Sequence, residues 1–165
     1  IARSGGWFKR KSFERFGGLI EFKMPLKRMR FESVILANGT EEVLVPAHCI
    51  SGITEGSSLP PMEEDPGITF AKFNGTEGLV ECGREEAAEA PCVVRVGVAD
   101  FQLWIACDSA ARTILARRYP AGDFVEAGSW YSQFGLLHDE GEGRALPLLD
   151  GDVLLAFHGK IGKEL

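Results

Sequence analysis

Short runs in which apolar and polar residues alternate recur along the chain, and they predict a protein built mainly from β-strands. Many of the apolar positions are β-branched or aromatic, which is typical of strands. Pro46 falls inside one run and predicts a bulge or an edge position there. The predicted strands are Leu19–Met24, Met29–Leu36, Val43–Ile53, Cys92–Val98, Phe101–Ala106, Phe124–Glu126, Trp130–Leu137 and Val153–His158.

Two Asn-Gly pairs predict tight hairpins. Asn38-Gly39 separates two apolar runs, and so does Asn74-Gly75. Both residue types accept positive φ, which a two-residue turn of type I′ requires. Each pair also begins an Asn-Gly-Thr triplet, and we interpret both triplets as turns rather than as glycosylation sites.

Helical patterns are scarce. Asp108-Ser109 resembles an N-cap, and Ala111, Ile114 and Leu115 follow at helical spacing, so one short helix is predicted near 108–119. Arg84–Ala90 is a candidate for a second helix. Gly5–Phe16 fits either a helical face or an extended segment. Thr54–Gly67 contains three prolines and predicts a long surface loop.

These elements predict an antiparallel β-barrel or β-sandwich built from hairpins. The chain has 165 residues, of which 45% are hydrophobic, enough for one domain with a substantial core. There is no run of 18 apolar residues and no signal-peptide pattern, so neither a transmembrane segment nor a location is indicated. The residues predicted to be buried are Val34, Leu36, Leu44, Ile53, Val94, Val96, Leu103, Ile105, Leu115 and Leu154.

Charge changes this picture because it is divided between two parts of the chain. Residues 1–30 carry nine basic and two acidic side chains, a net charge of +7. The other 135 residues carry nine basic and 22 acidic side chains, a net charge of −13. Such asymmetry predicts a basic aromatic arm, residues 1–18, attached to a single β-rich domain, residues 19–165.

The arm interleaves aromatic rings with cations. Rings can fill apolar pockets while Arg pairs with carboxylates, which suits an acidic protein surface or a second copy of the chain. Rings can also stack on bases while cations neutralise phosphates, so nucleic acid or anionic lipid is an alternative partner. A third interpretation is that the arm packs on the β-rich domain of the same molecule. The candidate binding residues are Trp7, Phe8, Lys9, Arg10, Lys11, Phe13, Arg15 and Phe16.

His48 is the weak catalytic candidate. A His at the end of a barrel strand can act as a general base, but that chemistry also needs a nucleophile in a glycine-rich turn. Neither Gly128-Ser129 nor Cys82-Gly83 resembles such a turn closely. A His that simply ends a strand is the simpler interpretation.

His138, Asp139 and His158 are weak candidates for a metal site, provided that the late loops converge. The simpler reading of these residues is a polar turn and the end of a strand. Cys49, Cys82, Cys92 and Cys107 form no CxxC pair, which argues against a zinc cage. Reduced thiols are expected, with Cys82–Cys92 as the alternative disulfide. No phosphate-binding glycine loop is present, so no cofactor is predicted.

These features together favour a non-catalytic interaction or structural module of a larger assembly, such as a virion or tail component or an accessory subunit. Its partner would be an acidic protein or a copy of itself, contacted through the arm. The alternative is a small β-barrel hydrolase that uses His48, or a metal-assisted enzyme that uses His138 and His158.

Overall fold

The computed structural model of the chain describes residues 7–13, 17–23, 30–60, 68–75, 77–98, 101–120, 130–131, 133–139 and 142–164. Strands dominate these residues, as predicted. The strands are β1 Trp7–Phe13, β2 Gly17–Lys23, β3 Arg30–Asn38, β4 Glu41–Pro46, β5 Ile50–Thr54, β6 Thr69–Asn74, β7 Gly78–Glu81, β8 Cys92–Val98, β9 Phe101–Cys107, β10 Ser109–Pro120, β11 Gln133–Asp139 and β12 Glu142–Pro147. The helices are α1 Arg84–Glu89 and α2 Gly151–Glu164.

The strands form three sheets. The first sheet has the order β12-β11-β10-β3-β4, and the second has the order β5-β8-β9-β6-β7. Strands β1 and β2 form a separate two-stranded ribbon. Between the described strands, every pairing is antiparallel except that of β6 with β9. This architecture is mainly β and consistent with the predicted barrel or sandwich.

The first sheet curls until its two edges meet. Leu148, just after β12, bridges to Leu44 in β4, and the Leu149 N–H donates to the Leu44 carbonyl at 2.8 Å. The curl encloses a small apolar cluster. A Cβ at Gly135 would collide with the Leu44 side chain, so glycine permits this close approach. The enclosed buried residues are Ile35, Leu44, Ala116, Leu137, Leu146 and Leu148.

The main core lies between the two five-stranded sheets and is closed by α2. Eight of the ten residues predicted to be buried are buried: Val34, Leu36, Leu44, Val94, Val96, Leu103, Ile105 and Leu154. The prediction was wrong for Ile53, which is 50% exposed on the edge strand β5. It was also wrong for Leu115, which is 61% exposed because its neighbour Ala116 takes the inward face of β10.

The predicted strand Val43–Ile53 is two strands that belong to different sheets. Strand β4 ends at Pro46, which has no N–H to continue a ladder, and a 3₁₀ turn follows over Ala47–Cys49. After the turn, β5 pairs with β8 in the second sheet. The chain therefore passes from one sheet to the other at His48.

The helix predicted near 108–119 is wrong, because this segment is strand β10. It pairs with β3 on one side and β11 on the other, and this double pairing overrides the local helical spacing. A bulge between Ala111 and Thr113 shifts the register. The Asp108 carboxylate accepts a hydrogen bond from the Gly39 N–H at 2.7 Å, in the first hairpin turn, instead of capping a helix.

The strand predicted at Val153–His158 is also wrong, because helix α2 occupies it. Asp150 is the N-cap: its Oδ1 accepts from the Asp152 and Val153 N–H groups, both at 3.2 Å. Leu154 and Phe157 are three residues apart on the buried face of the helix. An apolar run of this length fits the periodicity of a strand as well as that of a helix. Here the N-cap at Asp150 favours the helix.

Both predicted hairpins are present and their turns contact each other, but in neither is Asn-Gly the pair of central residues that the predicted type I′ turn requires. Asn38 pairs with Glu41, which leaves Gly39 (φ 62°) and Thr40 in the first turn. In the second, Asn74 pairs with Gly78, which has φ 83°. The Asn38 amide donates to the Phe73 carbonyl at 2.7 Å, so its nitrogen links the two turns.

The remaining predictions fall partly within the described residues. The short helix near Arg84–Ala90 is confirmed as α1, and the strand predicted from Trp130 begins at Gln133. Of the ambiguous N-terminal segment, Trp7–Phe13 is extended. The loop predicted at Thr54–Gly67 contains a 3₁₀ turn at Gly56–Ser58. Its later part, residues 61–67, and the predicted strand Phe124–Glu126 lie outside the described residues.

Candidate functional site

A cleft of about 320 Å³ opens where the chain passes between the sheets, and it contains the catalytic candidate from the sequence. Four segments of the chain meet there: the start of β3, the turn after β4, the C-terminal end of β10, and the start of α2. The cleft is lined by Phe31, Pro46, His48, Arg118, Asp150, Gly151 and Asp152.

His48 reaches the cleft because of the turn that follows Pro46. The 3₁₀ geometry sends adjacent side chains in different directions, so His48 is exposed while Cys49 is buried in the main core. His48 therefore lies on the cleft wall, and Cys49 lies behind it.

Asp150 and Arg118 supply the charges of the cleft. Asp150 is almost fully buried, and its carboxylate is held by the first turn of α2. The Arg118 guanidinium lies 5.4 Å from the centre of the Phe31 ring, a cation–π contact that orients its charge. Asp152, which is exposed, adds a second carboxylate at the rim.

Asp150 and Arg118 both influence the thiol of Cys49, which lies behind the cleft wall. Burial raises the pKa of the Cys49 thiol, the Asp150 carboxylate raises it further, and the Arg118 guanidinium partly opposes this. Cys49 is therefore a neutral thiol near pH 7, which makes it a poor nucleophile. No Ser, Thr or Cys lines the cleft within the part of the chain that the structure describes.

The cleft can bind a polar group without covalent chemistry. An imidazole and a guanidinium can donate hydrogen bonds, and the Asp152 carboxylate can accept them. His48 could also act as a general base on a water molecule, a role that needs no protein nucleophile.

The metal candidates are only partly described. His158 is on α2, and its ring lies 4.1 Å from that of Phe101, tilted by 31°. His138 and Asp139 end β11, where the register places them opposite Gly143 and Glu142; their side chains lie outside the described part. Among the described side chains, no three His, Cys, Asp or Glu residues come together as metal ligands.

Six of the eight candidate binding residues of the arm lie on one strand. Trp7, Phe8, Lys9, Arg10, Lys11 and Phe13 all belong to β1, whereas Arg15 and Phe16 lie outside the described residues. Strand β1 pairs with β2 along its whole length, with Phe8 opposite Phe22 and Lys9 opposite Glu21. This ribbon crosses the predicted boundary between arm and body at residue 18, and that division stays a prediction.

Two groupings were missed from the sequence. Arg118 falls within the segment that was predicted to be a helix, and no local signal joins Arg118 or Asp150 to His48. The second grouping is Cys92 with Cys107, which face each other across β8 and β9. Cys82, the partner suggested from the sequence, lies between β7 and α1. All four cysteines are free thiols.

No protein-family model and no curated protein sequence matches this chain. None of the helices in the described part of the chain is both long enough and apolar enough to cross a bilayer.

Proposed function

We infer that this protein is a non-catalytic interaction module of a larger assembly, and that it contacts an acidic protein surface or a second copy of itself through the basic ribbon β1–β2. The observation that carries this proposal is the separate ribbon. Among the described residues, the basic, aromatic strand β1 pairs with β2 and with no strand of either five-stranded sheet.

A two-stranded ribbon is marginally stable alone and needs a further strand or a packed surface. Residues 1–24 carry six basic and two acidic side chains, whereas residues 31–165 have a net charge of −13. The surface that best complements this ribbon is therefore acidic, and the body of another copy is one such surface. Virion or tail components and accessory subunits are the classes of protein that this proposal favours.

The test compares the full chain with a variant that lacks residues 1–24. Sedimentation velocity, alone and with poly-glutamate as an acidic probe, would measure association at low and high salt. We expect the full chain to associate, salt to weaken the association because exposed charges are screened over about 8–10 Å, and the deletion to abolish it.

A matched pair of variants isolates the charge of the ribbon. Arg10→Gln should weaken association by on the order of twofold to fivefold, as expected for an exposed ion pair. Lys160→Gln removes an exposed cation from α2 and should have no effect. A full chain that stays monomeric and ignores poly-glutamate, yet binds a single-stranded oligonucleotide, would replace the proposal with a nucleic-acid function.

The hydrolase alternative has one observation in its favour, the position of His48 beside Asp150 and Arg118 in a cleft. Turnover of an ester or peptide substrate that His48→Ala abolishes, and Cys49→Ser leaves intact, would establish it. The metal-assisted alternative would require zinc binding that is lost in both His138→Ala and His158→Ala.

A further inference from the structure

We propose that Cys92 and Cys107 form a redox-active dithiol, which closes to a disulfide on exposure to a low-molecular-weight disulfide such as oxidised glutathione. The two residues are direct partners at the open end of the β8–β9 hairpin. Both face the main core, where Cys107 is buried and Cys92 is partly exposed.

The backbone already holds the Cβ atoms of the two cysteines close to the separation that a disulfide requires. Directly opposed residues of an antiparallel pair have Cβ atoms about 4.5–5.5 Å apart, whereas a disulfide needs about 3.5–4.5 Å. The Cys92 side chain also hydrogen-bonds that of Cys107. Closure therefore requires only a small inward movement at the end of the hairpin.

The partial exposure of Cys92 makes it the thiol that reacts first. Its thiolate attacks one sulfur of oxidised glutathione, which forms a mixed disulfide at Cys92 and releases one glutathione thiolate. Cys107 then gives its proton to solvent, and its sulfur attacks the Cys92 sulfur. The protein disulfide forms and a second glutathione leaves, so two electrons pass from the protein to the oxidant.

The environment of Cys107 controls the second step. Burial raises the pKa of Cys107, and the charge and hydrogen bond of Cys92 raise it further. Most of the Cys107 thiol is therefore protonated near pH 7, so its attack on the mixed disulfide is the slower of the two steps.

The reaction would alter a cleft on the same side of the molecule. Cys107 lines a cleft of about 250 Å³ together with Lys72, Glu86 and Asp108. Lys72 and Glu86 form an exposed ion pair in it, and Asp108 holds the first hairpin turn. A disulfide at Cys107 would restrict movement of the cleft wall that contains Cys107, where the chain leads into β10.

The test is a peptide map of the full, folded chain after incubation with oxidised glutathione, without reduction. Trypsin cleaves after Arg84, Arg95 and Arg112, which places Cys92 in peptide 85–95 and Cys107 in peptide 96–112. We expect these two peptides to be linked. Reduction by dithiothreitol should separate them again.

Variants distinguish the order of the steps. Cys107→Ser should stop at glutathione on Cys92, and Cys92→Ser should leave Cys107 unmodified. Cys82→Ser is the matched control and should leave the link intact. A link from Cys92 to Cys82, or unlinked and unmodified thiols in a wild-type chain that circular dichroism shows to be folded, overturns the proposal. The wild-type map decides the matter even if a variant fails to fold.

Discussion

Asp108 stabilises a turn that lies far from it in sequence. Its carboxylate accepts from the Gly39 N–H, and its own N–H donates to the Ala37 carbonyl at 2.9 Å. A short polar residue before an apolar run suggests a helix cap, but the same chemistry serves any exposed backbone N–H. This is why the sequence pattern at Asp108 predicted the wrong element.

Removing this carboxylate should weaken the fold modestly. Asp108→Ala should lower the free energy of unfolding by about 1 kcal/mol, because an exposed hydrogen bond to a turn is lost. Asp108→Asn retains an acceptor oxygen and should cost less. Urea unfolding of the three proteins measures the difference, and equal losses in both variants would contradict the role of the hydrogen bond.

A side chain at Gly135 should destabilise the fold. A Cβ there would overlap the Leu44 side chain inside the curled first sheet, so Gly135→Ala should lower the free energy of unfolding by about 1–3 kcal/mol. Gly143 on the neighbouring strand β12 is the matched control, because a Cβ there makes only an ordinary contact with Leu136 at 3.5 Å. Gly143→Ala should be neutral or slightly stabilising by comparison.

The Cys82 thiol should ionise at a higher pH than an ordinary cysteine thiol. Burial, and after it the Glu86 carboxylate, raise the pKa of Cys82 to about 11. The rate of iodoacetamide alkylation at Cys82 should therefore rise with a midpoint near this value, above that of the unfolded chain. Because the unfolded thiol ionises first, this residue makes stability fall as pH rises from about 9 towards the folded pKa. In Cys82→Ser this part of the alkaline decline should be absent.

At the scale of elements, the hairpins could be predicted and β10 could not. Asn-Gly turns are local signals, because the turn itself demands residues that accept positive φ. Strand β10 depends on pairing with β3, and all the strands of the second sheet lie between the two in sequence. No residue pattern within 108–119 indicates that pairing. Helix α2 was missed although Asp150 carries a cap signal, because its apolar residues also fit a short strand.

Leucine-to-alanine substitutions can compare a buried position with an exposed position on these strands. Leu103 on β9 is fully buried, and Leu115 on β10 is 61% exposed. Leu103→Ala should cost about 2–5 kcal/mol, as is usual for a buried leucine. Leu115→Ala should cost less than about 0.5 kcal/mol, as at other surface positions. Denaturant midpoints for both variants test the assignment, and comparable losses would contradict it.

At the scale of the whole molecule, the cleft that contains His48 could not be predicted from the sequence. His48 could be selected as a chemically notable residue, but Arg118 and Asp150 come from segments that meet it only after the first sheet curls. The cysteine pair was within reach. The sequence predicts strands at Cys92–Val98 and Phe101–Ala106, and a hairpin that pairs Val98 with Phe101 places Cys92 opposite Cys107.

Residues 25–165 should fold without the ribbon formed by β1 and β2. Neither five-stranded sheet uses β1 or β2, so deletion of residues 1–24 should change the free energy of unfolding by less than about 1 kcal/mol. Urea unfolding with circular dichroism measures this. A truncated chain that cannot fold would show that the ribbon is part of the molecule's own core, and association measurements on it would then lose their meaning.

The arrangement of the two large sheets along the chain bears on how the protein is synthesised. The second sheet comes from one continuous stretch, β5 to β9, whereas the first is made of β3 and β4 before that stretch and β10 to β12 after it. On a ribosome, the second sheet can therefore form while β3 still lacks the partner that follows residue 108. Closure between Leu44 and Leu148 comes last, and it should set the slowest step of refolding because it joins the most distant strands. Until β10 pairs with it, the free edge of β3 can pair with other chains, and a chaperone has most to protect in that interval.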